Sequence, residues 1–174
     1  MKNAKLTLTV KYAAYTLLLL ILYVLQTTPG LFALFGAKPM LVVSAAIAIA
    51  MHDGEFTGGL YGAFAGLLCD MGGSMLFGFN GLFTAVFCIT AGLLVIHLTY
   101  SNIGGATLFV FITMLARGGV EYLFGYGMWG YENVEKIFLY QMLPVVIYTA
   151  AVTPLMFILV RWLHRRFEKA LRRE

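Results

Sequence analysis

The stretch that decides the fold is "FTGGLYGAFAGLLCDMGG" at residues 56–73. Gly58, Gly62 and Gly66 lie four residues apart, and Asp70 continues the same spacing. This spacing keeps the four positions on one face of an α-helix, because the helix has 3.6 residues per turn. Glycines on one face let a second helix approach closely, and close contact holds helices together in a membrane. The stretch therefore predicts a membrane helix with a small-residue packing face.

The composition of the whole chain indicates a membrane protein. Of its 174 residues 61% are hydrophobic and only 11% are charged, whereas soluble domains carry roughly 25% charged residues. Several apolar runs approach the roughly 20 residues that a helix needs to cross a bilayer core. Cys69 and Cys88 lie within such runs, so we expect them to pack as small hydrophobic side chains.

Six apolar segments are separated by stretches rich in glycine, proline or polar residues. Their approximate bounds are 12–25, 40–51, 56–71, 82–98, 103–126 and 137–163. Lysine and arginine are concentrated near the two chain ends, which predicts that both termini are cytoplasmic and that the number of spans is even. We predict an all-α polytopic membrane protein with six transmembrane helices in a compact bundle. Four spans would require the second and third segments to form a re-entrant pair.

The domain organisation predicted from these segments is simple. Residues 1–163 are expected to form a single transmembrane helical domain, and residues 164–174 a basic amphipathic cytoplasmic tail. A cation near an anionic lipid surface contributes about 1 kcal/mol to binding. We predict that the tail anchors the topology at the membrane surface, with docking of a cytoplasmic filament or peripheral protein as the alternative. The residues proposed for this surface are Trp162, Arg165, Arg166, Lys169, Arg172 and Arg173.

A second small-residue stripe, which includes Ala85 and Gly92, lies in the fourth segment. We interpret it, together with Gly58, Gly62 and Gly66, as a pair of helix-packing faces. Such motifs do not reveal which helix they contact, so the faces can serve the chain itself or a partner.

Charged residues also occur within the apolar segments, where an uncompensated charge costs about 2.5–3.5 kcal/mol. Asp70 ends the third segment, where the negative end of the helix dipole disfavours an unpaired acid. Arg117 is its expected partner, and Glu121 follows Arg117 one helical turn later. We predict that Asp70, Arg117 and Glu121 form an intramembrane charge cluster. Hydration of Asp70 at the headgroup level and a transport or proton role are the alternatives.

Signatures of catalysis are absent from the sequence. It contains no Gly-x-Ser-x-Gly, His-Glu-x-x-His or P-loop pattern. The polar patch "HDGE" at residues 52–55 is interpreted as a solvated turn that caps the following helix. We therefore expect no enzymatic activity, no catalytic residues, no metal, no cofactor and no nucleic-acid partner.

The order of these features resembles the rod shape-determining protein MreD family. The resemblance is carried by "FGAKPMLVVSAAIAIAMHDGEFTGGLYGAFAGLLCDMGGSMLFGFNGLFTAVF" at residues 35–87. A short helix follows a proline-containing turn, and a polar turn leads into a glycine-rich helix that ends in Leu-x-x-Asp, here "LLCD" at residues 67–70. A glycine-containing turn then precedes the next apolar span.

The resemblance implies a multi-pass protein of the bacterial cytoplasmic (inner) membrane that acts as a scaffold of the cell-elongation complex. It implies binding of the bitopic protein MreC and a link between MreB filaments and the wall polymerase and transpeptidase. It also implies a fold similar to the substrate-binding subunits of energy-coupling-factor vitamin transporters, and such a subunit is the alternative function. That alternative requires a polar pocket, for which the sequence offers a single polar-aromatic cluster: Trp129, Tyr131, Glu132 and Asn133.

Overall fold

Six α-helices make up the part of the protein that the structure describes. The structure is a computed structural model that describes residues 2–30, 37–72, 77–97, 102–125 and 142–171. The helices are α1 (Lys2–Thr27), α2 (Leu41–Asp53), α3 (Glu55–Met71), α4 (Phe79–His97), α5 (Ile103–Gly125) and α6 (Leu143–Leu171). The prediction of an all-helical protein is confirmed for these residues.

Four of these helices, α1, α4, α5 and α6, are long and apolar enough to cross a membrane. The remaining two are shorter. The 13 residues of α2 reach about 20 Å and the 17 residues of α3 about 26 Å at 1.5 Å per residue. The hydrocarbon core of a bilayer is about 30 Å thick. Length alone is therefore compatible with six crossings or with four long helices around a shorter α2–α3 pair.

The short helix α2 forms the centre of the bundle. Its residues from Leu41 to Met51 are all buried, and it contacts each of the other five described helices. A helix that is apolar on all sides is stable only when it is surrounded. Alanines at 45, 46, 48 and 50 keep α2 narrow, which lets its neighbours approach it from every side.

The helix ends differ from the predicted segment ends at both ends of the chain. Helix α1 begins at Lys2 rather than at residue 12, so Lys11 belongs to the helix and is buried. Helix α6 continues to Leu171 without interruption and passes the expected domain boundary between residues 163 and 164. Pro144 lies in its first turn, where a missing N–H leaves no intrahelical bond unmade.

Contacts between helices define two ends of the bundle. At the terminal end, Lys11 of α1 and His164 of α6 both contact Asp53, the last residue of α2. At the distal end, Asp70 closes α3 beside the start of α4, and Arg117 of α5 joins them. Successive helices thus alternate in direction. Each end of the bundle therefore has its own polar cluster, and these two clusters are the candidates for a functional site.

Candidate functional site

The glycine face of α3 packs directly against α4. A Cβ atom on Gly62 would lie 2.7 Å from Cys88 Cβ and 2.9 Å from the carbonyl oxygen of Thr84. A Cβ atom on Gly66 would lie 2.6 Å from Gly81 Cα. No side chain fits at these separations, so glycine sets how closely the two helices approach.

The other small residues of the predicted packing faces also lie within the chain. A Cβ atom on Gly58 would lie 2.7 Å from Ala50 Cα on α2, and one on Gly92 would lie 2.6 Å from the backbone nitrogen of Glu55. Ala85 is half-buried on α4. The structure therefore brings the four predicted glycines into the contacts that join α2, α3 and α4. The sequence stripe missed Thr84, whose buried backbone forms part of the same face.

Asp70 caps the N-terminus of α4. Its Oδ2 accepts hydrogen bonds from the backbone N–H of Gly78 at 2.9 Å and of Gly81 at 3.2 Å. Its Oδ1 accepts from the backbone N–H of Asn80 at 3.2 Å and from the Asn80 side-chain amide at 2.8 Å. The first N–H groups of a helix have no intrahelical acceptor and carry partial positive charge. Asp70, only 6% exposed, therefore has its charge compensated by the next helix.

Arg117 does not contact Asp70 directly, which corrects the geometry expected for the charge cluster. Its Nε donates to the Asn80 side-chain oxygen at 2.7 Å, and its Nη1 lies 3.4 Å from Glu121 Oε2. Asn80 therefore stands between the two charges and donates to one while it accepts from the other. The three predicted residues do meet at the distal end, but α4 mediates the contact. The signal that sequence reasoning missed is "GFNG" at residues 78–81, a helix start without an acidic or hydroxyl cap of its own.

The terminal end contains a buried ion-pair cluster that sequence reasoning did not identify. Lys11 and Asp53 form a salt bridge with side chains that are 8% and 9% exposed. His164 Nδ1 lies 3.3 Å from Asp53 Oδ1 and 3.3 Å from the Tyr15 hydroxyl. The cluster joins α1, α2 and α6. The interpretation of "HDGE" as a solvated turn is therefore wrong for Asp53.

The second oxygen of that carboxylate is unusual. Asp53 Oδ2 is buried and has no hydrogen-bond partner within the described ranges, although a buried carboxylate is stable only when its charge is compensated. His52 lies beside the cluster, with its ring centre 5.4 Å from that of His164, and its Nδ1 donates to the Ala48 carbonyl oxygen at 2.7 Å. Across the part of the chain that is described, no three His, Cys, Asp or Glu side chains converge to hold a metal.

The basic surface at the end of α6 lies on a helix that is continuous with the bundle. Arg165, Arg166 and Lys169 are exposed, and the Arg166 guanidinium lies 4.5 Å from the ring centre of Trp162. This stacked arrangement suits an interfacial site, because the indole covers apolar area while the guanidinium keeps contact with water. Arg172 and Arg173 lie outside the described residues.

A cavity of about 610 Å³ opens at the distal end beside the charge cluster. It is lined by the ends of α1, α3, α4 and α5 and by the residues before α2: Tyr23, Gln26, Thr27, Lys38, Met40, Cys69, Gly72, Asn80, Arg117 and Glu121. The polar-aromatic cluster that the sequence offered for a pocket, residues 129–133, lies outside the described residues. The cavity is thus bordered by two residues of the predicted charge cluster, Arg117 and Glu121, and by residues to which the sequence analysis gave no pocket role.

In the ranges that the structure describes, the protein is helical, with four helices able to cross a membrane, a central helix buried from Leu41 to Met51 and a polar cluster at each end. Comparison of the chain with protein-family models, with curated proteins and with solved structures gives no match. The residues themselves and the sequence resemblance described above therefore indicate the function.

Proposed function

We propose that this protein is a non-enzymatic integral membrane scaffold of the bacterial cell-elongation complex, similar to MreD. It spans the cytoplasmic membrane six times with both termini in the cytoplasm. It binds a bitopic MreC-type protein and so couples cytoskeletal filaments to peptidoglycan synthesis and rod-shape maintenance.

The observation that carries this proposal is that the residues of the resemblance form one packing unit. Three features of the resemblance contribute contacts between α2, α3 and α4: the polar turn at Gly54, the glycine-rich α3 and the "LLCD" motif at residues 67–70. Gly54 has a φ of 87°, a backbone conformation that residues other than glycine rarely adopt. The features that carry the resemblance therefore hold three helices in a particular arrangement. Hydrophobic composition alone would not require such contacts.

The surfaces that remain available suit a scaffold. The small-residue faces are used inside the chain, and the long helices α1, α4, α5 and α6 each present exposed apolar side chains along their length. A single transmembrane helix of a bitopic partner needs such a face, and the basic end of α6 supplies a charged surface for a filament or an anionic leaflet.

Site-specific photo-crosslinking in living cells tests the proposal. Benzoylphenylalanine is placed at Leu17, Leu82, Leu108 or Leu155, one on each long helix and all exposed by 59–72%. We expect adducts with a bitopic wall-synthesis protein from one or two neighbouring positions, and loss of rod shape on depletion of the protein. Adducts with lipid alone at all four positions, together with normal cell shape after depletion, would contradict the scaffold role.

The alternative, a vitamin-binding subunit of an energy-coupling-factor transporter, is favoured by one specific observation, the distal cavity of about 610 Å³. Small-molecule sites occupy about 300–1,000 Å³. A thermal-unfolding screen with water-soluble vitamins tests it, since a ligand at 100 times its Kd adds about 2.7 kcal/mol to the stability of the folded state. A clear shift with one vitamin would replace the scaffold proposal by this one.

A further inference from the structure

The distal cavity has a chemistry that neither helix packing nor the scaffold role uses. It exists because the central helix is short: α2 begins at Leu41, and the residues before it, Lys38 and Met40, line the cavity instead of a further helical turn. Tyr23 and Gln26 border it from the end of α1, and Arg117 borders it from α5. The cavity therefore follows from where α2 begins.

Hydrogen-bond donors in this cavity are left without acceptors. Lys38 is half-buried, and its ammonium group forms no hydrogen bond or ion pair with any described residue. The Tyr23 hydroxyl likewise has no hydrogen-bond partner among the residues that the structure describes. Both groups border the cavity, so each is available to an acceptor that enters it.

The charges that line the cavity determine whether a cationic or an anionic ligand is favoured there. Lys38 and Arg117 are the two cations in the lining, and Glu121 is the one acid among the described lining residues. Glu121 is already engaged with Arg117. The carboxylate of Asp70, at the end of α3, has both oxygens occupied by N–H groups at and just before the start of α4. The net positive lining disfavours a bound cation and favours an anion.

We propose that the distal cavity binds the phosphate group of an anionic ligand, with Lys38, Tyr23 and Arg117 as donors. Phosphate offers several strong acceptor oxygens, and lysine and arginine side chains form charge-assisted hydrogen bonds to it. Two sources carry this chemistry: the headgroup of an anionic phospholipid and a soluble phosphate compound. The site does not depend on the scaffold role. Its three donors belong neither to the exposed apolar residues chosen for crosslinking nor to the basic end of α6.

Thermal unfolding of the full-length protein in dodecyl maltoside tests the proposal. The probes are short-chain phosphatidylglycerol, short-chain phosphatidylcholine, and inorganic phosphate against sodium chloride of equal ionic strength. We expect phosphatidylglycerol to raise the Tm more than phosphatidylcholine does. Stabilisation by phosphatidylglycerol alone assigns the site to a lipid headgroup, and additional stabilisation by inorganic phosphate assigns it to a soluble phosphate compound.

Two variants locate the effect in the cavity. Lys38→Gln removes one cation and should weaken the apparent affinity about fivefold, as expected for one cation near an anionic group. Tyr23→Phe removes only a hydroxyl and should produce a smaller loss while leaving the fold intact. Lys5→Gln is the matched control, because Lys5 is exposed at the terminal end. The proposal is overturned if neither anionic probe stabilises the protein more than its neutral control, or if Lys38→Gln responds as Lys5→Gln does.

Discussion

His164 Nδ1 lies 3.3 Å from Asp53 Oδ1, although the two residues come from the last and the second helix of the described chain. Lys11 of α1 completes the contact through its salt bridge to the same oxygen. One carboxylate thus joins three helices at this end of the bundle. Buried ion pairs add little net stability when they form, but they are costly to break.

Lys11→Leu should therefore destabilise the protein by about 3–5 kcal/mol, because it leaves Asp53 buried with a weaker counter-charge. Unfolding in detergent, followed by circular dichroism, measures the change. Adding Asp53→Asn should recover part of the loss, since the buried charge is then removed as well. Lys5→Leu, at an exposed position of the same helix, should have little effect. Equal stability of the two lysine variants would show that the cluster does not hold the helices.

Asp70→Ala should lower the free energy of unfolding by about 2 kcal/mol or more, because buried N–H groups at the start of α4 lose their acceptor. Asp70→Asn keeps one acceptor oxygen and should lie between the alanine variant and the wild type. Thermal unfolding of the three proteins measures the order. An alanine variant as stable as the wild type would mean that water replaces the cap.

Asn80 should be coupled energetically to Arg117, since a hydrogen bond of 2.7 Å joins them. A double-mutant cycle of Asn80→Ala and Arg117→Leu should give a coupling energy of about 0.5–3 kcal/mol, the range for residues in one network. The matched cycle of Asp70→Asn and Arg117→Leu should give less, because Asn80 separates those two side chains. A larger value for the second cycle would indicate direct charge pairing instead.

Gly62→Ala should destabilise the protein by about 1–3 kcal/mol, the usual cost of inserting a methyl group into a packed interface. The new Cβ would meet backbone of α4 at Thr84, which cannot move aside as a side chain could. Gly119→Ala is the matched control, because a Cβ there meets nothing within 4 Å and alanine favours the helix. If the two variants have the same Tm, Gly62 is not part of a close packing face.

Cysteine labelling checks the proposed orientation. In a Cys69→Ala background, in which Cys88 is buried, single cysteines are introduced at Lys5, Lys169 or Phe77. We expect a membrane-impermeant maleimide to label the Phe77 position in intact cells and the two lysine positions only after permeabilisation. The reverse pattern would place the termini outside, and labelling of all three in intact cells would rule out a spanning bundle.

Features that depend on local spacing could be predicted from the sequence. The four-residue spacing of Gly58, Gly62 and Gly66 identifies a packing face because helix geometry alone determines which side chains share a side. The apolar run before "HDGE" likewise predicts a short helix. Its central position was not predictable, since a segment that is apolar on all sides looks the same whether lipid or protein surrounds it.

Contacts between distant segments were predictable only in part. The pairing of Asp70 with Arg117 was inferred from charge, and charge complementarity does not reveal that an amide such as Asn80 stands between. The partner of Lys11 was missed because a lysine near a chain end normally indicates topology. Nothing in its neighbourhood distinguishes a solvated lysine from one that a later helix covers.

The complete enclosure of α2 has a consequence for how the protein is made. Helices leave the ribosome in chain order, so α2 is inserted before α5 and α6, two of the helices that contact it. Until α6 arrives, Asp53 lacks His164, and one side of α2 faces lipid or the insertion machinery. We therefore expect the surroundings of α2 to be complete only when the final helix has been inserted.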